Sequence, residues 1–81
     1  MNTTISTRKA VYRWLYQRRV QEPGVYFALD DLKDIATEPN LSAALVFGLE
    51  LGHLELKRGH WRMTAFGMLH AETEGFVEGG D

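Results

Sequence analysis

Apolar positions recur along this chain with two different periods, and the switches between them mark its elements. From Arg8 to about Gln21, Val11, Trp14 and Leu15 fall on one stripe with Ala10 beside it, the spacing of an amphipathic helix. Thr7 is the predicted N-cap, with Ser6 as its competitor. Arg18 lies within the stripe near the helix end, where its stem can rest on the core while its head reaches water. Glu22-Pro23-Gly24 ends the helix, and Pro-Gly suits the central positions of a type II turn. Val25-Tyr26-Phe27-Ala28-Leu29 is a short β-prone run. Leu32, Ile35 and Ala36 return to helical spacing, which predicts a short second helix capped by Asp30 with Asp31 in its first turn. Thr37-Glu38-Pro39 breaks it, because the residue before a proline is driven out of the α region. Asn40 is the predicted N-cap of a third helix over 41–51, closed by Gly52.

The period then changes to two. Leu54-Glu55-Leu56-Lys57 and His60-Trp61-Arg62-Met63 flank Arg58-Gly59, the pattern of a hairpin with a two-residue turn. Pairing outward from the turn sets Lys57 opposite His60, Leu56 opposite Trp61, Glu55 opposite Arg62 and Leu54 opposite Met63. One face is then apolar and the other carries an opposite-charge pair; a slip by one residue would destroy both features. Thr64 can cap a final helical turn or two, with Phe66 and Leu69 as its apolar contacts.

With 81 residues the chain is one small domain, which buries only about 60–65% of the surface its unfolded form exposes. There is no cysteine, which excludes disulfides and Cys-ligated metals and makes a reducing cytoplasm the expected compartment. Met1 to Thr7 is polar, so no signal peptide is expected, and the longest mostly apolar run, 41–51, falls short of the about 20 residues that span a bilayer. The net charge of −2 is unevenly spread. Glu72, Glu74, Glu78 and Asp81 stand in the last eleven residues with no base among them, so residues 1–70 carry +2. The expected organisation is an N-terminal arm (1–7), a domain (8–70) and an acidic, glycine-rich flexible tail (71–81).

The order helix, short strand, helix, tight turn, helix, hairpin resembles the winged helix-turn-helix family over about residues 8–70. The resemblance rests on the Leu32/Ile35/Ala36 helix, the break at Glu38-Pro39-Asn40, the stretch from Ala44 to His53 and Leu54, and the ending Arg62-Met63-Thr64-Ala65-Phe66-Gly67. It implies an α+β, mainly α winged helix: a three-helix bundle with a C-terminal hairpin wing and a short strand after the first helix. It implies also that the third helix enters the major groove of double-stranded DNA, presenting Ser42, Ala43, Val46 and Glu50 to the bases, and that Lys57, Arg58, Gly59 and His60 form a wing tip along the backbone or in the minor groove. The expected role is a small transcriptional regulator.

The third helix departs from that pattern. Base edges are read mainly by Arg, Lys, Asn and Gln, yet no base lies between Lys33 and Lys57. The helix is apolar nearly all round, which leaves Val46, with Phe47 or Leu49, without an inward place. A second copy or another protein covering Val46, Phe47 and Leu49 is the alternative. Phosphate contacts can also come from the first helix, whose outer arc interleaves Arg8, Lys9, Arg13 and Arg19 with Tyr12 and Tyr16; a plain solvated face explains the same arc. Likewise the wing tip is either a phosphate contact or a charged edge that deters strand pairing. Trp14 and Trp61 are assigned to packing.

No catalytic residue, cofactor, metal site or small-molecule substrate is expected. His53, His60 and His70 lack ligand spacing, phosphate-loop glycines are absent, and Ser6 and Ser42 sit in no nucleophile motif. Asp30, Asp31 and Asp34 crowd a helix start, where capping accounts for them.

Overall fold

The computed structural model describes residues 3–76. It runs α1 (Thr3–Gln21), β1 (Phe27–Ala28), α2 (Leu29–Leu32), α3 (Asn40–Leu51), β2 (Leu54–Lys57), β3 (His60–Met63) and α4 (Ala65–Thr73). The architecture is α+β, mainly helical and winged-helix-like. Helices α1, α2 and α3 form the body, and a three-stranded antiparallel sheet of order β1-β3-β2 lies beside it. No helix among the described residues is long and apolar enough to cross a membrane.

The hairpin has the predicted register at every pair, from Leu54 opposite Met63 to Lys57 opposite His60. Arg58 (φ 52°) and Gly59 (φ 77°) are both left-handed, as a type I′ turn requires. Only Phe27 and Ala28 of the β-prone run join the sheet, opposite Trp61 and His60. The core gathers Val11, Tyr12 and Leu15 of α1, Leu32, Leu41, Ala44 and Leu45, with Leu54 and Met63 from the root of the wing. Each fully buried leucine here is worth about 1.5–3 kcal/mol.

Several boundaries differ from expectation. Helix α1 starts at Thr3, so Thr7 is interior rather than an N-cap, and five of the seven arm residues are helical. The buried stripe of α1 is Val11, Tyr12 and Leu15, with Trp14 only half-buried. The 22–25 turn closes with Val25 N–H donating to the Glu22 carbonyl (3.0 Å), but Gly24 has no positive φ, so it is not type II. Helix α2 stops at Leu32; Asp30 lies inside it, paired with Lys33, while the Asp31 carboxylate accepts from Ala28 N–H. Asn40 is the first residue of α3 and not its cap. The capping acceptor is the Glu38 side chain, which takes hydrogen bonds from Ser42 N–H (2.9 Å) and Ser42 Oγ (2.7 Å).

The two long glycine-terminated ends share one mechanism. After α3, left-handed Gly52 lets its own N–H reach the Leu49 carbonyl and His53 N–H reach that of Gly48. After α4, Gly75 (φ 75°) does the same, with Gly75 N–H on Glu72 and Phe76 N–H on Ala71. That second reversal folds the chain back and buries Phe76. The tail boundary at residue 71 is therefore corrected: Ala71 and Phe76 belong to the core, and α4 extends to Thr73. Residues 77–81, the rest of the tail, lie outside the described residues, as do residues 1 and 2. Thr64 caps α4 as predicted, accepting from Gly67 N–H (3.0 Å). Phe66 and Leu69 are largely exposed, however, because α4 turns Gly67 and Ala71 inward.

Candidate nucleic-acid interface

At the wing tip Lys57, Arg58, Gly59 and His60 are all exposed. Neither Lys57 nor Arg58 has a carboxylate within ion-pair distance among the described residues; Lys57 Nζ stands 5.7 Å from the Tyr26 ring. The His60 Nδ1–H donates to the Arg58 carbonyl (2.9 Å), which holds the imidazole at the tip.

Below the tip the wing is braced. Glu55 accepts from Arg62 Nη2 (2.6 Å) and Nε (3.2 Å) and from the Tyr26 hydroxyl (3.2 Å). Arg62 also donates to the Pro23 carbonyl (2.6 Å), and its guanidinium lies 4.8 Å over the Tyr26 ring. The hydrogen bonds from Arg62 hold the Glu55 carboxyl below its usual range, and the same pair raises Arg62. Arg62 is thus a structural cation, tying β3 to β2 and to the loop before β1.

Helix α3 presents Ser42, Ala43, Val46, Leu49 and Glu50 outward, with Val46 47% and Leu49 37% exposed. Ser42 is engaged by Glu38, which those hydrogen bonds keep more acidic than an ordinary glutamate. Phe47 is half-buried beneath the Arg8 guanidinium, 3.6 Å from its ring centroid. Arg8 Nε is itself buried without a hydrogen-bond partner. The residues of the α3 face that the sequence assigned to bases therefore lie side by side: Ala43 and Val46 offer methyl groups, the Ser42 hydroxyl donates to Glu38, and Glu50 offers a carboxylate.

The α1 arc does not form one free basic face. Tyr12 is fully buried, Arg8 covers Phe47, Arg13 Nε donates to the Phe76 carbonyl (3.1 Å) and Arg19 Nε to that of Met63 (3.0 Å). Tyr16 donates to Glu72. Lys9 is exposed. On another face an open depression of about 500 Å³ is lined by Trp14, Arg18, Phe27, Ile35 and the carboxylates of Asp30, Asp31 and Asp34. Its acidic rim repels phosphate, so a polynucleotide would leave that face uncovered.

One cluster was not foreseen. His53 and His70 stack at 4.2 Å, against Tyr12. Tyr12 stands next to Val11 and one turn before Leu15 and Tyr16, so a stripe of 11, 12 and 15 was available from spacing alone. The approach of His53 to His70 depends on α4 folding back over the wing root, which no local pattern encodes. No three His, Cys, Asp or Glu side chains among the described residues are grouped to hold a metal.

No protein-family model matches the sequence, and the comparisons with curated proteins and with solved structures find no match either.

Proposed function

We propose that this chain is a winged helix-turn-helix protein that binds double-stranded DNA as a small cytoplasmic regulator. The observation that carries the reading is the wing tip: three groups that can bear positive charge, Lys57, Arg58 and His60, stand on a type I′ turn, and among the described residues no carboxylate pairs with them. The wing springs from the end of α3, whose exposed face is narrow and uncharged apart from Glu50, a shape that enters a major groove and meets thymine methyl groups. Phosphate contacts come from Arg58, Lys57 and His60, with Lys9 as a further exposed cation on α1. Affinity is mainly electrostatic and sequence preference weak.

The test is binding to random duplex DNA at several salt concentrations. Each phosphate contact contributes a slope of about 0.9 to the fall of log affinity with log salt, so the paired substitution Lys57→Ala with Arg58→Ala should flatten it by about one to two units. An unchanged slope removes the wing from the interface and the reading with it.

A second reading is favoured by one specific observation. Val46 and Leu49 are exposed neighbours on α3, a surface that a second copy or another protein would cover.

A further inference from the structure

His53 occupies a junction. Its N–H closes α3 on the Gly48 carbonyl (2.8 Å), and its own carbonyl accepts from Thr64 N–H (2.9 Å) at the start of α4. Its side chain is 4% exposed, although a histidine beside a wing would ordinarily face water. The Tyr12 hydroxyl lies 2.7 Å from Nδ1, the His70 ring is stacked on the imidazole, and Phe66 closes one side at 5.1 Å. Phe76 packs edge-on against both Tyr12 (5.5 Å) and His70 (5.6 Å). The whole C-terminal segment is thus seated on two imidazoles and a phenol.

From this geometry we propose that the His53–His70 stack is an acid-sensitive latch, which holds α4 and Phe76 against α1 while the His53 ring is neutral and releases them when that ring takes up a proton.

Three features make the stack intolerant of charge. Two imidazolium ions at 4.2 Å would repel across a contact that excludes water. The cations beside the cluster add to that repulsion: Arg8 acts on Tyr12 from one turn back on α1, and Arg13 holds the Phe76 carbonyl, while Glu72 is engaged by the Tyr16 hydroxyl. No carboxylate offers compensation, since neither imidazole forms an ion pair among the described residues, Glu74 one turn beyond His70 included. From α3, Gly48 lies beside the Tyr12 hydroxyl, and Leu54 of β2 packs against the same glycine; both are apolar. Burial pushes the Tyr12 phenol up to about 12, so it keeps its proton and shares a hydrogen bond with Nδ1, donating where Nδ1 is bare and accepting where Nδ1 carries hydrogen. A doubly protonated ring carries hydrogen at Nδ1, so the phenol must then accept and turn its own hydrogen toward its apolar surroundings.

Burial, and then the charge of His70, depress the affinity of His53 for a proton in the closed form. The open form, with the ring in water, binds a proton near pH 6.5. Closure therefore keeps its full stability above that pH and loses it as pH falls through the depressed value of the closed form. A proton taken up on opening weakens closure up to tenfold per pH unit, so opening should rise by up to about thirtyfold between pH 7.5 and pH 5.0.

Amide hydrogen exchange on the full chain, corrected for the intrinsic effect of pH, tests this, with imidazole proton NMR as a second measurement. Over that pH range the amides of 68–76 should lose more protection than those of α3, by up to about thirtyfold. His60→Gln, on the exposed wing, should behave as the parent. His70→Gln should shrink the loss, because the like-charge repulsion is gone. Equal loss in 68–76 and α3, an undiminished loss in His70→Gln, or the His53 imidazole titrating as an exposed histidine with the Phe76 ring signals unmoved would each overturn the latch. The experiment contains no nucleic acid, so its outcome is separate from the duplex-binding reading.

Discussion

Gly67 offers a measurement in which local propensity and tertiary packing predict opposite signs. An alanine in the interior of a helix is favoured over glycine by about 1 kcal/mol, so a reading of α4 alone expects Gly67→Ala to stabilise. The structure places the new Cβ 2.1 Å from the His53 carbonyl oxygen and 2.8 Å from its carbon. Ordinary carbon–oxygen contact begins at about 3.3 Å, and the obstruction is backbone, held by the α3 cap and unable to swing aside. Relief requires α4 to lift by about 1 Å. That stretches the Thr64 N–H bond to His53 (2.9 Å) and the Thr64 hydroxyl bond to the Gly52 carbonyl (2.7 Å), each worth about 1 kcal/mol. It also withdraws part of Ala71 and Phe76 from the core, for a further ~1 kcal/mol. After subtracting the propensity gain, the expected net loss is about 2 kcal/mol. Urea unfolding followed through Trp14 and Trp61 fluorescence measures it. Gly24→Ala is the control: nothing lies within 4 Å of its Cβ and its φ is not positive, so it should be neutral or gain up to about 1 kcal/mol. A Gly67→Ala protein as stable as the parent refutes the close approach of α4 to His53.

Two further outcomes concern the wing and α3. A double-mutant cycle on Glu55→Ala and Arg62→Ala should give a coupling of about 0.5–1 kcal/mol at neutral pH, kept small because the carboxylate is partly solvated. Glu55 has its pKa lowered from the usual 4.5, so this stabilisation is present above that pH and lost as acid titrates the folded carboxyl; a cycle repeated near pH 2 that kept its coupling would contradict the ion pair. Under the duplex-binding reading, Val46→Glu should weaken duplex binding severalfold while leaving the sedimentation of the free protein unchanged, since it sets a carboxylate on the α3 face proposed to enter the groove. A fall in mass with duplex affinity intact would favour the protein-contact reading.

What was legible in the residues follows from where each signal lives. The hairpin was readable to single-residue register because charge pairing, apolar alternation and turn chemistry all point to one alignment, and a slip violates each. The α3 stop at Gly52 was equally plain, since a left-handed residue there has a local cause. Helix starts were less accessible. Glu38 takes the capping role from Asn40 only because its side chain reaches forward to Ser42, and Thr7 loses its role because the chain before it also coils. The acidic composition of the tail concealed Ala71 and Phe76: solvated glutamates surround them, and their burial depends on a glycine reversal onto α1.

The candidate interface was half legible for a related reason. Its wing tip is set by a turn, so Lys57, Arg58, Gly59 and His60 stand where spacing put them. The α1 arc is set by partners distant in sequence, and those partners change its meaning. Arg8, Arg13 and Arg19 each lie against α3, the C-terminal segment or β3, and their contacts are to a ring face and two carbonyls rather than to acids. They therefore keep their charge while losing their freedom to move. Under the duplex-binding reading that divides the cations into two kinds: mobile ones at the wing tip, which can follow a phosphate and release counterions, and fixed ones on α1, which contribute only a general positive potential screened within about 8–10 Å at ordinary salt. With so few mobile cations per copy, one domain would hold DNA weakly, and regulation would require two copies on adjacent half-sites.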